Sequence, residues 1–460
     1  MQRAQAMGHA SINSLLLRFA GPSIVTMLVM GSYNVVDAIF VGRLGAEAIA
    51  ALTVSFPFMM LFVAVGVGTG VGATSLISRY LGAGESLEAS RTAAVSFTLC
   101  AFFGIVITAV FLPNLEGMLR LFGARETVMP LAKEYMSVLV IFAVLNFFPM
   151  IIGSIIRAEG NPILPSVTGV ISVGLNIALD PVLIFGLGPA PELGIAGAAW
   201  ATVIARGVGA VILLGYFIMG RSSFRFRPGY FIPKIRTLIE IYRVGLSQVV
   251  QMGAEAVVMG FGNTIAGGFG VIPLAVLGVI MRTGSFIFMP CVGLIQGALP
   301  LIGFNFGAAR YNRIGEVIGK TGLLAVIWSL VFFVIAIAFP ETIISVFRNE
   351  PEFVSQGARA LRVFALSFPF IGLQMLAGSF FQGIGKGIPS LVLASARHAI
   401  FLLPALLILP GVFGTTGLWA AFPISSLLAT ILGVAWMVFQ FRAMDLKPHF
   451  RATPPERPTV

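Results

Sequence analysis

The chain consists of long runs of apolar residues separated by short polar stretches. A helix needs roughly 20 apolar residues to cross the hydrocarbon core of a bilayer, and twelve runs meet that length. Their continuity predicts helices, because strands of a membrane barrel alternate apolar and polar positions. The predicted spans are residues 16–41, 49–77, 92–113, 132–156, 162–187, 195–219, 238–264, 271–304, 317–340, 357–382, 388–410 and 415–441.

Composition agrees with an integral membrane protein. Hydrophobic residues make up 58% of the chain and charged residues 10%, and the mean hydropathy is +0.99. Ordinary soluble domains do not have this balance. The first apolar run is expected to stay in the protein, because it is longer than a signal-peptide core and no small-residue cleavage pattern follows it.

The distribution of charge predicts the orientation. With the N-terminus inside, the inner loops and tails hold 17 of the lysines and arginines and the outer loops hold 7. This bias puts both termini in the cytoplasm and the protein in the cell's inner (plasma) membrane. It also accounts for the net charge of +11 without nucleic-acid binding. Cys100 and Cys291 fall inside spans, so neither a disulfide nor a metal site is expected.

The second half of the chain repeats the first. The segment IIGSIIRAEGNP at 151–162 matches LAGSFFQGIGKG at 376–387, an offset of 225 residues. The segment LGIAGAAWA at 193–201 matches FGTTGLWAA at 413–421, an offset of 220. The 225-residue offset also relates small residues in the two halves, namely Gly68, Gly72, Ala73 and Gly82 with Gly293, Gly297, Ala298 and Gly307. Several matches in register predict two related halves.

Because each half has an even number of spans, six, both halves enter the membrane from the same side and are parallel repeats. The substrate path is expected between them. The predicted fold is an all-α polytopic membrane protein of twelve transmembrane helices, in two six-helix lobes related by an internal parallel repeat. The predicted divisions are a cytoplasmic N-terminal segment (1–15), an N-lobe (16–219), a cytoplasmic linker (220–237), a C-lobe (238–441) and a disordered cytoplasmic tail (442–460). The basic linker is interpreted as a connector, with contact to lipid headgroups as the alternative.

Polar residues inside the spans form the candidate chemistry of the N-lobe. Asp37, Asp180 and Thr202 each lie five to seven residues from the outer end of a predicted span, or roughly 8–11 Å deep at about 1.5 Å per residue. Asn176 stands four residues before Asp180 and Tyr33 four before Asp37, so each shares a helix face with its carboxylate. Carboxylates are rare in membranes and are functional by default.

Two neighbouring carboxylates in a low dielectric cannot both stay charged without compensation, so they share a proton or a cation. Oxygen-only ligands favour a hard ion such as Na⁺, for which Asp37, Asn176, Asp180 and Thr202 would supply the oxygens. The alternative is a structural network of interhelical hydrogen bonds.

These motifs resemble those of the multidrug and toxic compound extrusion (MATE) transporters, and within them the DinF-like branch. The resemblance covers about residues 11–445 and is carried by NVVDAIFVGRLG around Asp37, NIALDPVLIFG around Asp180, GAAWAT with Thr202, RAEGNP at 157–162 and QGALPLIGFNFGA at 296–308. It implies export of mainly cationic and aromatic compounds by alternating access, coupled to H⁺ or Na⁺. No cofactor beyond the coupling ion and no partner subunit are expected.

The resemblance also implies roles for single residues. In similar proteins, groups matching Asp37, Asn176, Asp180 and Thr202 form the cation site of the N-lobe. A proline matching Pro22 is where the first helix bends.

The C-lobe departs from some family members, which pair an acid in the seventh span with one in the tenth. Here Glu255 lies in the seventh span, but the tenth span has no acid. Glu255 is interpreted either as a second proton site or as half of an ion pair with Arg282 in the eighth span.

Three other functions compete with coupled export. A lipid or lipid-linked oligosaccharide flippase is the main alternative, although such proteins usually need a more cationic cavity. An intramembrane enzyme is not expected, because the chain lacks the HExxH and GxSxG motifs and its three histidines, His9, His398 and His449, have no acid at ligand spacing. A channel is disfavoured because Asp37 and Asp180 belong to one half only.

Overall fold

A computed structural model describes residues 2–122, 124–188 and 191–444, and the side chains of residues 2, 3, 32–35, 38 and 46 lie outside that description. Almost all of the predicted tail lies outside it too. Within the described part, the chain is helical and forms no β-strand. The helices are α1 (Gln2–His9), α2 (Ile12–Gly42), α3 (Ala46–Gly82), α4 (Ser86–Leu121), α5 (Met129–Ile141), α6 (Ala143–Ala158), α7 (Ile163–Phe185), α8 (Gly194–Ile218), α9 (Ile235–Gly268), α10 (Val271–Gly307), α11 (Tyr311–Ala338), α12 (Pro340–Ser345), α13 (Pro351–Ala365), α14 (Phe368–Gly383), α15 (Gly387–Ser395) and α16 (Leu403–Ala443).

Nine helical segments of the described chain are long and apolar enough to cross a membrane, and two bent helix pairs raise the number to eleven. The last segment, Gly387–Ala443, has 57 residues. A straight helix of that length would be about 85 Å long, whereas the hydrocarbon core is about 30 Å thick. Gly414 interrupts it with φ 60° and ψ −140°. The segment therefore holds two spans, as the sequence predicts for 388–410 and 415–441.

Two predicted spans are bent where the sequence suggests continuous helices. The fourth span divides into α5 and α6, which are bent by 52°, and the tenth into α13 and α14, which are bent by 41°. Side chains donate to backbone carbonyl oxygens near each bend: Asn146 Nδ2 donates to Leu139 O at 3.0 Å, and Ser367 Oγ donates to Phe364 O at 2.7 Å. Such donors let a broken helix stay inside a membrane.

The helices form two compact units. The first comprises residues 1–5 and 25–245, and the second comprises residues 6–24 and 246–460. The chain thus crosses between units inside α1, inside α2 and inside α9. The helices α2 and α9 are those that open each half. This division differs from the predicted lobe boundaries, which assign each opening helix whole to its own lobe.

Repeated glycines explain why the units divide inside these helices. A Cβ at Gly72 would lie 2.2 Å from the carbonyl oxygen of Ile241 at the start of α9. A Cβ at its repeat partner Gly297 would lie 2.7 Å from the backbone nitrogen of Ala20 in α2. Only glycine allows backbones to approach this closely. The start of α9 therefore packs in the first unit, and the start of α2 packs in the second.

The C-terminal part of a short N-terminal helix, α1, also packs in the second unit, and the apolar pattern does not predict this helix. Asn305 Nδ2 donates to Met7 O at 3.3 Å, and Arg313 Nη2 donates to Ala10 O at 2.6 Å. Arg310 donates to the carbonyl oxygen of Gly8. These bonds satisfy carbonyls at the C-terminal end of α1, where no helical partner remains.

Candidate functional site

The carboxylate of Asp180 is at the centre of the polar cluster in the first unit. It lies on α7, is fully buried, and accepts a hydrogen bond at its Oδ1 from Asn176 Nδ2 at 3.5 Å. The same amide nitrogen lies 3.4 Å from Thr202 Oγ1 on α8. The four-residue spacing puts Asn176 on the same face of α7 as Asp180, and both Asn176 and Thr202 are buried.

Close packing of α7 and α8 brings these side chains together. A Cβ at Gly197 would lie 2.4 Å from the carbonyl oxygen of Leu183, and one at Gly209 would lie 2.7 Å from Ser172 Oγ. Both glycines are on α8, and the residues that they face are on α7. The two helices therefore approach each other on both sides of Thr202, which fixes its hydroxyl beside the amide of Asn176.

Asp37 approaches this cluster from α2. Its side chain is half-buried, and its carboxylate interacts electrostatically with that of Asp180 as a like charge. Three buried oxygens of the cluster have no hydrogen-bond partner among the described residues: Asp37 Oδ1, Asn176 Oδ1 and Asp180 Oδ2. Buried oxygens of this kind are costly unless they bind a proton, a cation or water.

The chemistry of the cluster suits a proton or a hard cation. It supplies two carboxylates, one amide oxygen and one hydroxyl, without a nitrogen or sulfur ligand of the kind that zinc and copper prefer. In the described part of the chain, no group of three or more His, Cys, Asp or Glu side chains could hold a metal ion. A monovalent cation or a shared proton can compensate the negative charge of two carboxylates that lie beside a neutral amide.

Of the two residues predicted to support the cluster, Tyr33 and Pro22, the structure describes the surroundings of Pro22 alone. The side chain of Tyr33 lies outside the described residues, so its predicted position beside Asp37 stays a prediction. Pro22 lies inside α2, two residues before the point where the chain passes from the second unit to the first. Proline has no backbone N–H to donate to the carbonyl four residues earlier, and sharp helix kinks occur most often at proline.

The structure gives Glu255 an electrostatic neighbour other than the predicted Arg282, whose pairing with Glu255 stays a prediction. Glu255 on α9 interacts electrostatically with Arg397, which lies between α15 and α16. Arg282 on α10 is exposed and forms no ion pair in the described part of the chain. Counting residues along spans gives depth but not the direction of a side chain around its helix, so the sequence alone does not single out Arg397.

Glu159 is a second acid whose role the sequence analysis misses. It is buried at the end of α6 and accepts hydrogen bonds from Tyr216 Oη and Ser222 Oγ, both at 3.1 Å, and from the backbone N–H of Ser223. These bonds hold the start of the predicted linker against the first unit. Its position in the RAEGNP motif was the available signal, but the motif alone does not reveal which groups donate to the carboxylate.

Comparison with known proteins decides the family. A protein-family model described as MatE matches residues 22–182 and again residues 246–406. The matches begin 224 residues apart, in agreement with the internal repeat, and together they cover more than half of the chain. The chain belongs to the MATE family.

Relatives cover nearly the full length of this MATE protein. A multidrug export protein MepA from Staphylococcus haemolyticus is 25% identical over 417 residues, which is 90% of each chain. A solved structure described as the outward-facing conformation of a multidrug resistance MATE family transporter is 27% identical, with a TM-score of 0.90 over 97% of this chain and 99% of that one.

Two further solved structures, described as MATE in the bent and in the straight conformation, have TM-scores of 0.90 and 0.91. Each is 26% identical and covers 97% of this chain, with 98% and 99% of the solved chain covered. The family assignment and the twelve-helix, two-lobe fold are therefore confirmed, and the chain is a multi-pass membrane transporter. The DinF-like branch stays a prediction.

Proposed function

We propose that this MATE transporter is an antiporter that exports multiple drugs and toxic compounds, mainly cationic or aromatic, in exchange for H⁺ or Na⁺. Its relatives carry the names multidrug export protein and multidrug resistance transporter, which supports the substrate class. The expected setting is a monomer in the inner (plasma) membrane with both termini in the cytoplasm. No cofactor takes part besides the coupling ion.

One observation carries the coupling proposal. Among the residues that the structure describes, the buried atoms Asp37 Oδ1, Asn176 Oδ1 and Asp180 Oδ2 have no hydrogen-bond partner. The two carboxylates repel each other, and a bound cation removes that repulsion. A proton needs only one of the carboxylates, whereas Na⁺ needs several oxygens at once and would add Thr202 Oγ1. We favour H⁺ because it makes no demand on geometry.

The proposed cycle links this charge change to α2. A proton that binds at Asp37 or Asp180 removes a negative charge between α2 and α7 and so changes the balance between the straight and bent forms of α2. Pro22 is the site where the helix bends most easily. Drug and cation then compete, because each stabilises a different form of the same helix.

The test is export of the cationic dye ethidium from liposomes that contain the purified protein. A pH gradient in Na⁺-free buffer is expected to drive export, and a protonophore is expected to stop it. Export that persists with the protonophore but requires an inward Na⁺ gradient would overturn the proton assignment. If neither gradient moves ethidium but a fluorescent anionic lipid is flipped, the flippase alternative replaces coupled export.

A further inference from the structure

The predicted linker folds against the first unit, and its side chains alternate between two environments. Arg227 has an extended backbone, with φ −130° and ψ 148°. Successive side chains of an extended chain point to opposite sides. Phe224 is buried, and the ring of Phe226 lies 5.6 Å from that of Phe97 on α4, whereas Arg225 and Arg227 are exposed. The aromatic side of the linker therefore packs on the protein, and the basic side faces away from it.

Two hydrogen bonds fix the depth of the linker beside α4. The backbone N–H of Arg225 donates to Ser90 Oγ at 3.2 Å, and Thr98 Oγ1 donates to Phe231 O at 2.7 Å. Ser90 stands two residues before the predicted third span, and Thr98 lies six residues inside it, which is about 9 Å at about 1.5 Å per residue. The linker therefore runs from the edge of the predicted hydrocarbon layer to a level below that edge.

The end of the linker and the start of α9 expose large apolar side chains. Ile232, Ile235 and Ile239 are 72%, 73% and 60% exposed, and Phe231 is 38% exposed. Ile235 and Ile239 are four residues apart and share a face of α9. Exposed apolar side chains in a continuous patch are unfavourable in water and favourable among acyl chains. This apolar patch therefore belongs in the membrane, directly after the basic part of the linker.

The acids near the linker leave most of its positive charge uncompensated. The exposed linker cations are Arg221, Arg225, Arg227, Lys234 and Arg236. Glu240 pairs with Arg236 at 3.2 Å, and Glu88 pairs with Arg91. Glu159 accepts its hydrogen bonds from tyrosine, serine and backbone donors. Among the residues that the structure describes, the other four linker cations form no ion pair.

We propose that the linker is a membrane-inserted anchor, in which Arg225, Arg227 and Lys234 bind the phosphate of an anionic phospholipid such as phosphatidylglycerol. The lipid belongs to the leaflet predicted to be cytoplasmic. A guanidinium donates to two phosphate oxygens at once, and long basic side chains lie along apolar surface while their charge stays at the headgroups. The isoleucines then contact the acyl chains. This assignment replaces the plain connector and does not depend on the proposed export function.

The test measures which lipid surrounds the linker. Ile232→Cys carries a coumarin donor, since the two native cysteines are buried, and the protein is placed in phosphatidylcholine nanodiscs. Phosphatidylglycerol or phosphatidylcholine with the same NBD-labelled acyl chain is titrated as energy acceptor. The labelled phosphatidylglycerol is expected to quench the donor at a lower mole fraction. Arg225→Gln with Arg227→Gln should reduce this preference on the order of twentyfold, because each basic group near an anionic surface contributes roughly a factor of five.

The matched control is Arg43→Gln with Arg125→Gln, which removes two exposed arginines on the side predicted to be outer and should keep the preference. Thermal unfolding in neutral detergent checks that both double variants fold. If the linker variant does not, Arg227→Gln alone should reduce the preference about fivefold.

Three results would overturn the anchor. They are equal quenching by the two lipids with the native linker charges, a preference that survives the linker substitutions, and an equal loss in both double variants. Loss of the preference when inorganic phosphate is added at constant ionic strength would also overturn it, because the site would then bind free phosphate.

Discussion

Replacing Asp180 with asparagine is expected to reduce ion-driven ethidium export to background while the protein still reaches the membrane. Asparagine has nearly the same size and keeps an acceptor for Asn176 Nδ2, so the packing of α7 against α8 is retained. It removes one of the two titratable groups, and with it the repulsion between carboxylates that a coupling cation would relieve. Asp37→Asn should have the same effect, because the two carboxylates act as one site.

The matched control is Glu126→Gln, an exposed acid outside the spans, which should export at the wild-type rate. Dye binding in detergent separates coupling from substrate recognition. The Asp180→Asn protein should still bind ethidium, since the proposed exchange fails and the substrate contacts remain. Wild-type export by both aspartate variants would contradict the cation site. Loss of ethidium export in the Asp37→Asn variant alone would show that only the carboxylate on α2 is needed for coupling.

The second large effect is a loss of stability when either of the repeated glycines, Gly197 and Gly417, is replaced with alanine. A Cβ at Gly197 would lie 2.4 Å from the carbonyl oxygen of Leu183, and one at Gly417 would lie 2.1 Å from that of Leu409. The backbone must move to admit either methyl group, so each alanine substitution should destabilise the protein by about 1–3 kcal/mol. The measurement is the midpoint of thermal unfolding in detergent.

Alanine substitution at two other helical glycines is expected to raise the unfolding midpoint, and these variants serve as controls. A Cβ at Gly174 in α7 or at Gly411 in α16 would meet nothing within 4 Å. Alanine is favoured over glycine inside a helix by roughly 0.5–1 kcal/mol, so Gly174→Ala and Gly411→Ala should raise the midpoint. Equal shifts for all four variants would show that the close backbone contacts do not decide stability.

The internal repeat could be predicted from the sequence because its matching glycines are needed for close backbone contacts in both halves. Gly197 and Gly417 occupy the same place in their halves, and both allow a span to begin against the end of the span before it. Gly72 and Gly297 likewise correspond, and each admits the backbone of an opening helix. Spacing predicts that these glycines are equivalent, but it does not predict which helix each one faces.

The polar cluster was predictable for a similar reason. Asn176 and Asp180 share a face by helical spacing, and counting from span ends gives Thr202 a matching depth. The structure places all three within hydrogen-bonding distance, while their role in coupling stays a prediction. Depth alone does not single out Arg397 as an electrostatic neighbour of Glu255, because Arg397 lies in a π-helical turn whose geometry no hydropathy pattern reveals.

The bends in the fourth and tenth spans were not predictable from apolar runs. A hydropathy run continues through Phe142 and Leu366 even though the helix axis turns there. The compensating donors, Asn146 and Ser367, are short polar residues that are common in membrane helices for other reasons. That they donate to backbone carbonyls beside the bends is visible only with coordinates.

The central claim is that substrate and cation exchange at the Asp37–Asp180 cluster, and counter-movement of the ion tests it most directly. Liposomes that contain the protein and a trapped pH-sensitive dye are given an outward ethidium gradient and no ion gradient. The account predicts that protons move inward as ethidium leaves, and that Asp37→Asn and Asp180→Asn abolish both movements together. Ethidium efflux at the wild-type rate without any inward movement of H⁺ or Na⁺ would contradict it.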